Sequence, residues 1–121
     1  MAATKYLIVI QANQSDVGKA VHGLLYGQEL HEAGFEVEIV FDGLGTQWPD
    51  EFSKPEHPFN SLYREVLKAG IVKGGCQACS AFFEVSEKVE KAGVPLLGYE
   101  TTGGHIPFAQ YMKDGFTPII L

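Results

Sequence analysis

The sequence predicts a three-layer α/β/α domain built on a mostly parallel five-stranded sheet. Short apolar runs of strand length alternate along the chain with segments that repeat apolar residues at helical spacing. The first run, Tyr6 to Ile10, is apolar throughout, as a strand covered on both faces must be. At 121 residues, 45% hydrophobic and 20% charged, the chain has the size and composition of one globular domain spanning 1–121.

Each element follows in order. Gln11 to Ser15 is a polar loop, and Ser15 or Asp16 is placed to cap the next helix. That helix carries Val17, Ala20, Val21, Leu24 and Leu25 as its stripe and ends before Gly34. Glu36 to Phe41 is a second strand, closed by Asp42-Gly43. Gly45 to Pro58 holds Trp48, three prolines and no period, which predicts an irregular segment acting as a lid or an oligomer contact. Trp48, Phe52 and Phe59 there belong to core or interface. Phe59, Leu62, Tyr63, Val66 and Leu67 keep helical spacing to Gly70.

Ile71-Val72 begins a third strand that breaks on Gly74-Gly75, and a helix continues from the cysteines to about Ala92-Gly93. Val94 to Tyr99 is a fourth strand. Gly103-Gly104-His105 leads a short helix (Phe108, Tyr111, Met112) that stops at Gly115. Phe116 to Leu121 closes the sheet, and Pro118, with no N–H to donate, puts this strand at an edge or stands at its start. A flavodoxin-like wrap is expected.

Charge excludes one class of partner. Nine basic and 15 acidic residues give a net charge of −6 without any basic cluster, the opposite of a nucleic-acid surface. Met1 to Lys5 runs into only five apolar residues, too few for a secretory leader or a membrane span. Two cysteines make no disulfide framework and fit a reducing cytoplasm.

Phosphate-binding motifs fail on their residues. A Walker loop ending at Gly18-Lys19 would need glycine where Asn13 stands and a hydroxyl where Ala20 stands. Gly43-Leu44-Gly45 lacks the third glycine of a dinucleotide fingerprint. No cofactor and no metal are expected.

The chemistry lies in Cys76-Gln77-Ala78-Cys79, set where a strand hands over to a helix. Thiols three apart at a helix start share one side and sit near unpaired amides, which favours thiolate. Four readings compete. Both residues can be buried small hydrophobes. Zinc needs four ligands, and His22, His31, His57 and His105 are scattered in sequence, so a second subunit would have to contribute. A thioredoxin-type couple would follow the first strand with a tryptophan before it, which is not the arrangement here. Sulfane-sulfur transfer needs an activated thiol in an open pocket with a docking partner.

Cys76 to Phe82 and the tail Gly104-His105-Ile106-Pro107-Phe108-Ala109 with Asp114 to Ile120 carry a resemblance. The whole chain resembles the DsrE/DsrF-like sulfur-relay family, in its C-x-x-C branch. The resemblance implies a persulfide on Cys76, with Cys79 as the resolving thiol. It also implies sulfur donor and acceptor proteins as partners, and a homo-oligomer, trimer or hexamer. The family often has Arg-Gly past the cysteine where this chain has Phe83-Glu84.

Beside the thiols, Gly103-Gly104 before a helix is a potential anion-binding end, with Thr101, Thr102 and His105 adding polar groups. His105 is placed to promote thiolate formation, and Gly75 and Asn13 to line the same crevice. From another class comes a non-catalytic oligomeric scaffold of the same fold. A thiol–disulfide redox protein is the third alternative.

Overall fold

Buried strands sort their side chains alternately onto two faces, and a layer of chain covers each face. The computed structural model describes residues 4–121. Met1 to Ala3, part of the expectation that no leader is present, lie outside the described residues. Among those described, no helix is long and apolar enough to cross a membrane.

The strands are β1 (Lys5–Ile10), β2 (Glu36–Phe41), β3 (Val72–Cys76), β4 (Leu96–Leu97) and β5 (Thr117–Ile120). All their pairings are parallel, in the order β4-β3-β2-β1-β5. The expected three-layer α/β/α architecture is therefore present, but a flavodoxin-like sheet runs 2-1-3-4-5. Here β1 to β4 step steadily one way and β5 returns to the far side of β1. It pairs with β1 alone, which is how Pro118 is tolerated.

The helices are α1 (Val17–Glu32), α2 (Trp48–Ser53), α3 (Asn60–Lys68), α4 (Gln77–Phe82), α5 (Ser86–Lys91) and α6 (Phe108–Lys113). Right-handed crossovers put the connections after β1, β2 and β3 on one face and that after β4 on the other. The core divides accordingly. Ile8, Ile10, Ile39 and Phe41 pack with Ala20, Leu24, Trp48, Phe52 and Val89. Leu7, Val9, Val40 and Cys76 pack with Ile106, Tyr111 and Phe116. Chains leaving β3 and β4 thus diverge to opposite faces, which opens a crevice at the carboxyl ends of those two strands.

Several local expectations change. Asp16 occupies the cap position of α1 without a side-chain bond, while Asn13 Oδ1 accepts the Ser15 N–H and hydroxyl at 3.0 and 2.6 Å. At its other end Gly34 (φ 93°) closes a Schellman turn, with the Phe35 N–H bonded to Leu30 O at 3.0 Å. Val17 and Leu25 are exposed, because α1 turns Gly23 and Gly27 to the sheet instead. A Cβ on Gly23 would stand 2.6 Å from Ile10, so the helix backbone lies directly on the strands.

The stretch expected to be irregular holds a 3₁₀ turn (Gly43–Gln47) and α2. Its first half packs into the core, while Lys54, Pro55, Glu56 and Pro58 are exposed. Trp48 and Phe52 are buried and stacked at 5.0 Å, and the Trp48 indole N–H donates to Ala12 O at 2.7 Å. The strand expected to break on Gly74-Gly75 runs through them to Cys76, with the Gly74 side closed by Leu97. The long cysteine helix is two helices, parted where Glu84 takes φ 58° and the Val85 N–H bonds Ser80 O at 2.8 Å. The fourth strand shrinks to Leu96–Leu97.

Candidate functional site

Cys76 is both the last residue of β3 and the cap of α4. Its backbone turns there (φ −53°, ψ 121°), and its sulfur accepts the Cys79 N–H at 3.4 Å. The C-x-x-C spacing brings the second sulfur back over the first turn of the helix. From the chain beyond β4, His105 Nδ1 faces both sulfurs, 3.4 Å from Cys76 and 3.8 Å from Cys79. From the end of β2, Asp42 Oδ1 lies 3.7 Å from Cys79 Sγ and accepts its S–H, while the Gln11 amide donates to Oδ2 at 2.8 Å.

Backbone contacts hold the segment that carries His105. The Ala78 N–H donates to Gly104 O at 3.0 Å, and the Thr102 hydroxyl lies 2.6 Å from His105 O. Gly103 and Gly104 both take positive φ, 65° and 84°, which lets the chain double back over α4.

Electrostatics bear on the outer thiol. Burial, first of all, pushes the Cys79 thiol up to about 12, and its hydrogen bond to Cys76 and the charge there add to the rise. The charge on Asp42 acts the same way, and a backbone hydrogen bond from Gly43 opposes it in part.

Sequence reasoning expected Cys76 to stand open. Instead it has 0% exposure, sealed among Val40, Leu97 and Ile106, and Cys79 is the partly exposed thiol. His105, distant from the cysteines in sequence but expected beside them, faces both sulfurs within a single chain. It is not the start of a helix, since α6 begins at Phe108 after a Pro107 cap. Gly103-Gly104 is accordingly no anion-binding helix end, and Gly104 turns its carbonyl toward α4. Gly75 lies on the opposite face, against Val89, closed to any substrate.

Asn13 is engaged by Ser15 and touches neither thiol. Thr101 and Thr102 line a separate cleft of about 570 Å³ with Glu38, Tyr99, Tyr111 and Lys113. No lining residue of that cleft is a cysteine or His105. Sequence reasoning missed Asp42 and Gln11. Their signal was available: both directly follow buried strands, and in a parallel sheet such ends gather at one edge.

No protein-family model matches the chain. The sequence is 30% identical over 109 residues to the uncharacterized protein MJ0733 of Methanocaldococcus jannaschii, covering 90% of this chain and 85% of that one. The structure is similar to a conserved protein of unknown function, BT1422, from Bacteroides thetaiotaomicron. That likeness has a TM-score of 0.71 at 17% identity and covers 98% of this chain and 95% of the other, so it shows the fold.

Proposed function

This chain belongs to the family of the archaeal protein MJ0733, and from that premise we propose that it is a dithiol carrier of sulfane sulfur. The observation that carries the reading is the meeting of Cys76, Cys79, His105 and Asp42 at one crevice. The resemblance to the DsrE/DsrF-like sulfur-relay family adds to it.

Access decides which sulfur receives. The resemblance puts the persulfide on Cys76, but a protein-borne donor meets Cys79 first. Burial keeps the Cys79 thiolate a minor species, and it forms when the thiol gives its proton to the facing His105 Nδ1. Cys79 thiolate then attacks the terminal sulfur of a persulfide R–S–SH. One S–S bond forms, the donor's breaks, and R–S⁻ departs, giving Cys79–S–SH. An acceptor thiolate removes the terminal sulfur by the same exchange and restores Cys79. Without an acceptor, Cys76 attacks the inner sulfur, expels HS⁻ and forms a Cys76–Cys79 disulfide. His105, facing both sulfurs, balances charge as it moves between them.

Phe82, 80% exposed one helical turn beyond Cys79, gives a donor or acceptor protein an apolar hold beside the thiol. The reading carries with it the cytoplasmic location and the homo-oligomer, trimer or hexamer, that were expected from the sequence.

Reduced protein treated with an organic persulfide tests this by intact mass. A gain of one sulfur (about 32 Da) is expected, retained in Cys76→Ser and lost in Cys79→Ser. An adduct confined to Cys76 overturns the assignment. No adduct, with both thiols reduced, overturns the carrier and favours the scaffold. A disulfide formed without bound sulfur favours the redox alternative.

A further inference from the structure

The same crevice has the shape of a metal centre. The sulfur atoms of Cys76 and Cys79 and Nδ1 of His105 all lie within 4.8 Å of one another, brought together from β3, α4 and the chain beyond β4. The geometry points to a zinc site within a single chain, with Cys76, Cys79 and His105 as ligands and the fourth position left to a solvent molecule.

Distances carry the argument. Zinc bonds of about 2.3 Å to sulfur and about 2.0–2.1 Å to imidazole nitrogen, at tetrahedral angles, separate S from N by about 3.6 Å. The two separations here are 3.4 and 3.8 Å. Both sulfur–nitrogen separations therefore already fit edges of the tetrahedron that the ion requires.

The surroundings match as well. Asp42, held by the Gln11 amide through its other oxygen, stands beside Cys79 outside the ligand set and is placed to take up the proton that the thiol loses on binding. The Cys79 N–H donated to Cys76 Sγ would offset charge on a metal-bound thiolate. Mixed sulfur and imidazole donors suit Zn²⁺, whereas Cu⁺ favours thiolate and thioether. His105 is exposed and Cys79 partly so, which leaves a path for the ion.

This site does not depend on the sulfur-carrier reading, and the two are separable by experiment. Metal-free, reduced full-length protein is titrated with Zn²⁺ against a chromophoric chelator, and with Co²⁺ to record thiolate-to-metal absorption. One ion per chain is expected, with binding lost in Cys76→Ser and Cys79→Ser. His105→Ala should weaken it more than tenfold. Far-UV circular dichroism checks that each variant is folded.

Three results overturn the proposal: no saturable binding, half an ion per chain, or wild-type affinity in His105→Ala. A chain that binds zinc but takes no sulfur upholds the site and sinks the carrier. The reverse outcome sinks the site and leaves the carrier standing.

Discussion

Replacing Gly98 by alanine should disable the site without touching any of its reactive groups. Gly98 directly follows β4 and lies under the Gly104 carbonyl. A Cβ there would stand 2.7 Å from the Gly104 carbonyl carbon, nearer still to its oxygen, and 3.0 Å from Gln77 Cβ. Ordinary contact begins at 3.4 Å, so the Gly104 peptide must retreat by more than about 0.7 Å, its oxygen being nearer than its carbon. That stretches the 3.0 Å bond from the Ala78 N–H beyond hydrogen-bonding range. His105, next along the chain, moves with it and loses its 3.4 Å approach to Cys76. The lost bond costs about 1 kcal/mol and the overpacking about 1–3 kcal/mol. At roughly 4 °C per kcal/mol, thermal unfolding followed by circular dichroism should drop by about 10 °C. A tenfold or greater loss of zinc affinity should accompany it. Gly103→Ala is the control. A Cβ there meets nothing within 4 Å, so only the positive φ is strained and the cost is about 1–2 kcal/mol. A Gly98→Ala protein that melts within 2 °C of wild type refutes the close-packing argument.

Two further expectations rest on other contacts. With the Cys79 thiol held at about 12, its alkylation should climb tenfold per pH unit well past pH 9, where an ordinary thiol levels off. In Cys76→Ser the levelling should move to lower pH, and a wild-type plateau by pH 9 would contradict the raised value. The sign for stability follows: the native thiol keeps its proton longer than the unfolded one. Its contribution is complete below pH 9.0 and drains away as pH rises through about 12, so urea midpoints should fall across that window. Trp48→Phe leaves the Ala12 carbonyl without its indole donor in a buried setting, at about 1–3 kcal/mol. Its melting temperature should fall by roughly 4–12 °C, and an unchanged value would show that the 43–53 segment contributes little to the core.

Much of the architecture is written in local pattern. The apolar runs that become β1 and β2 and the glycine ends of α1, α3 and α6 need only short-range rules. Where expectation and structure part, the cause is tertiary. Val17 and Leu25 complete a stripe on paper, yet glycine's lack of a side chain makes the Gly23–Gly27 side the one that can approach the strands. Trp48 and Phe52 stand four apart with Pro49 in the first turn, a helical signal outweighed by the surrounding prolines. Glu84 takes a left-handed conformation that nothing in its type announces. At the site, C-x-x-C is legible because its two members are three residues apart. Asp42 is 37 residues from Cys79 and Gln11 is 31 from Asp42, so only the strand order reveals them as neighbours.

That strand order also explains why the inner thiol is closed and the outer one is not. Three successive crossovers cover one face of the sheet, so the chain leaving β4 has to cross to the other face before it can return to β5. The crossing segment runs over the end of β3, where Cys76 points to the face that this segment covers, and Ile106 seals it there. Cys79, one turn along α4, falls at the rim of the same covering. On the two proposals above, a sulfur donor and a metal ion would approach by one route, past His105 and Cys79. Zinc held by both sulfurs would occupy the lone pairs that sulfur uptake requires, so the two activities exclude each other at any moment. Any motion that exposes Cys76 must come from the Gly98–His105 crossing, because the other face is closed by α1 to α5 and has no opening to the thiols.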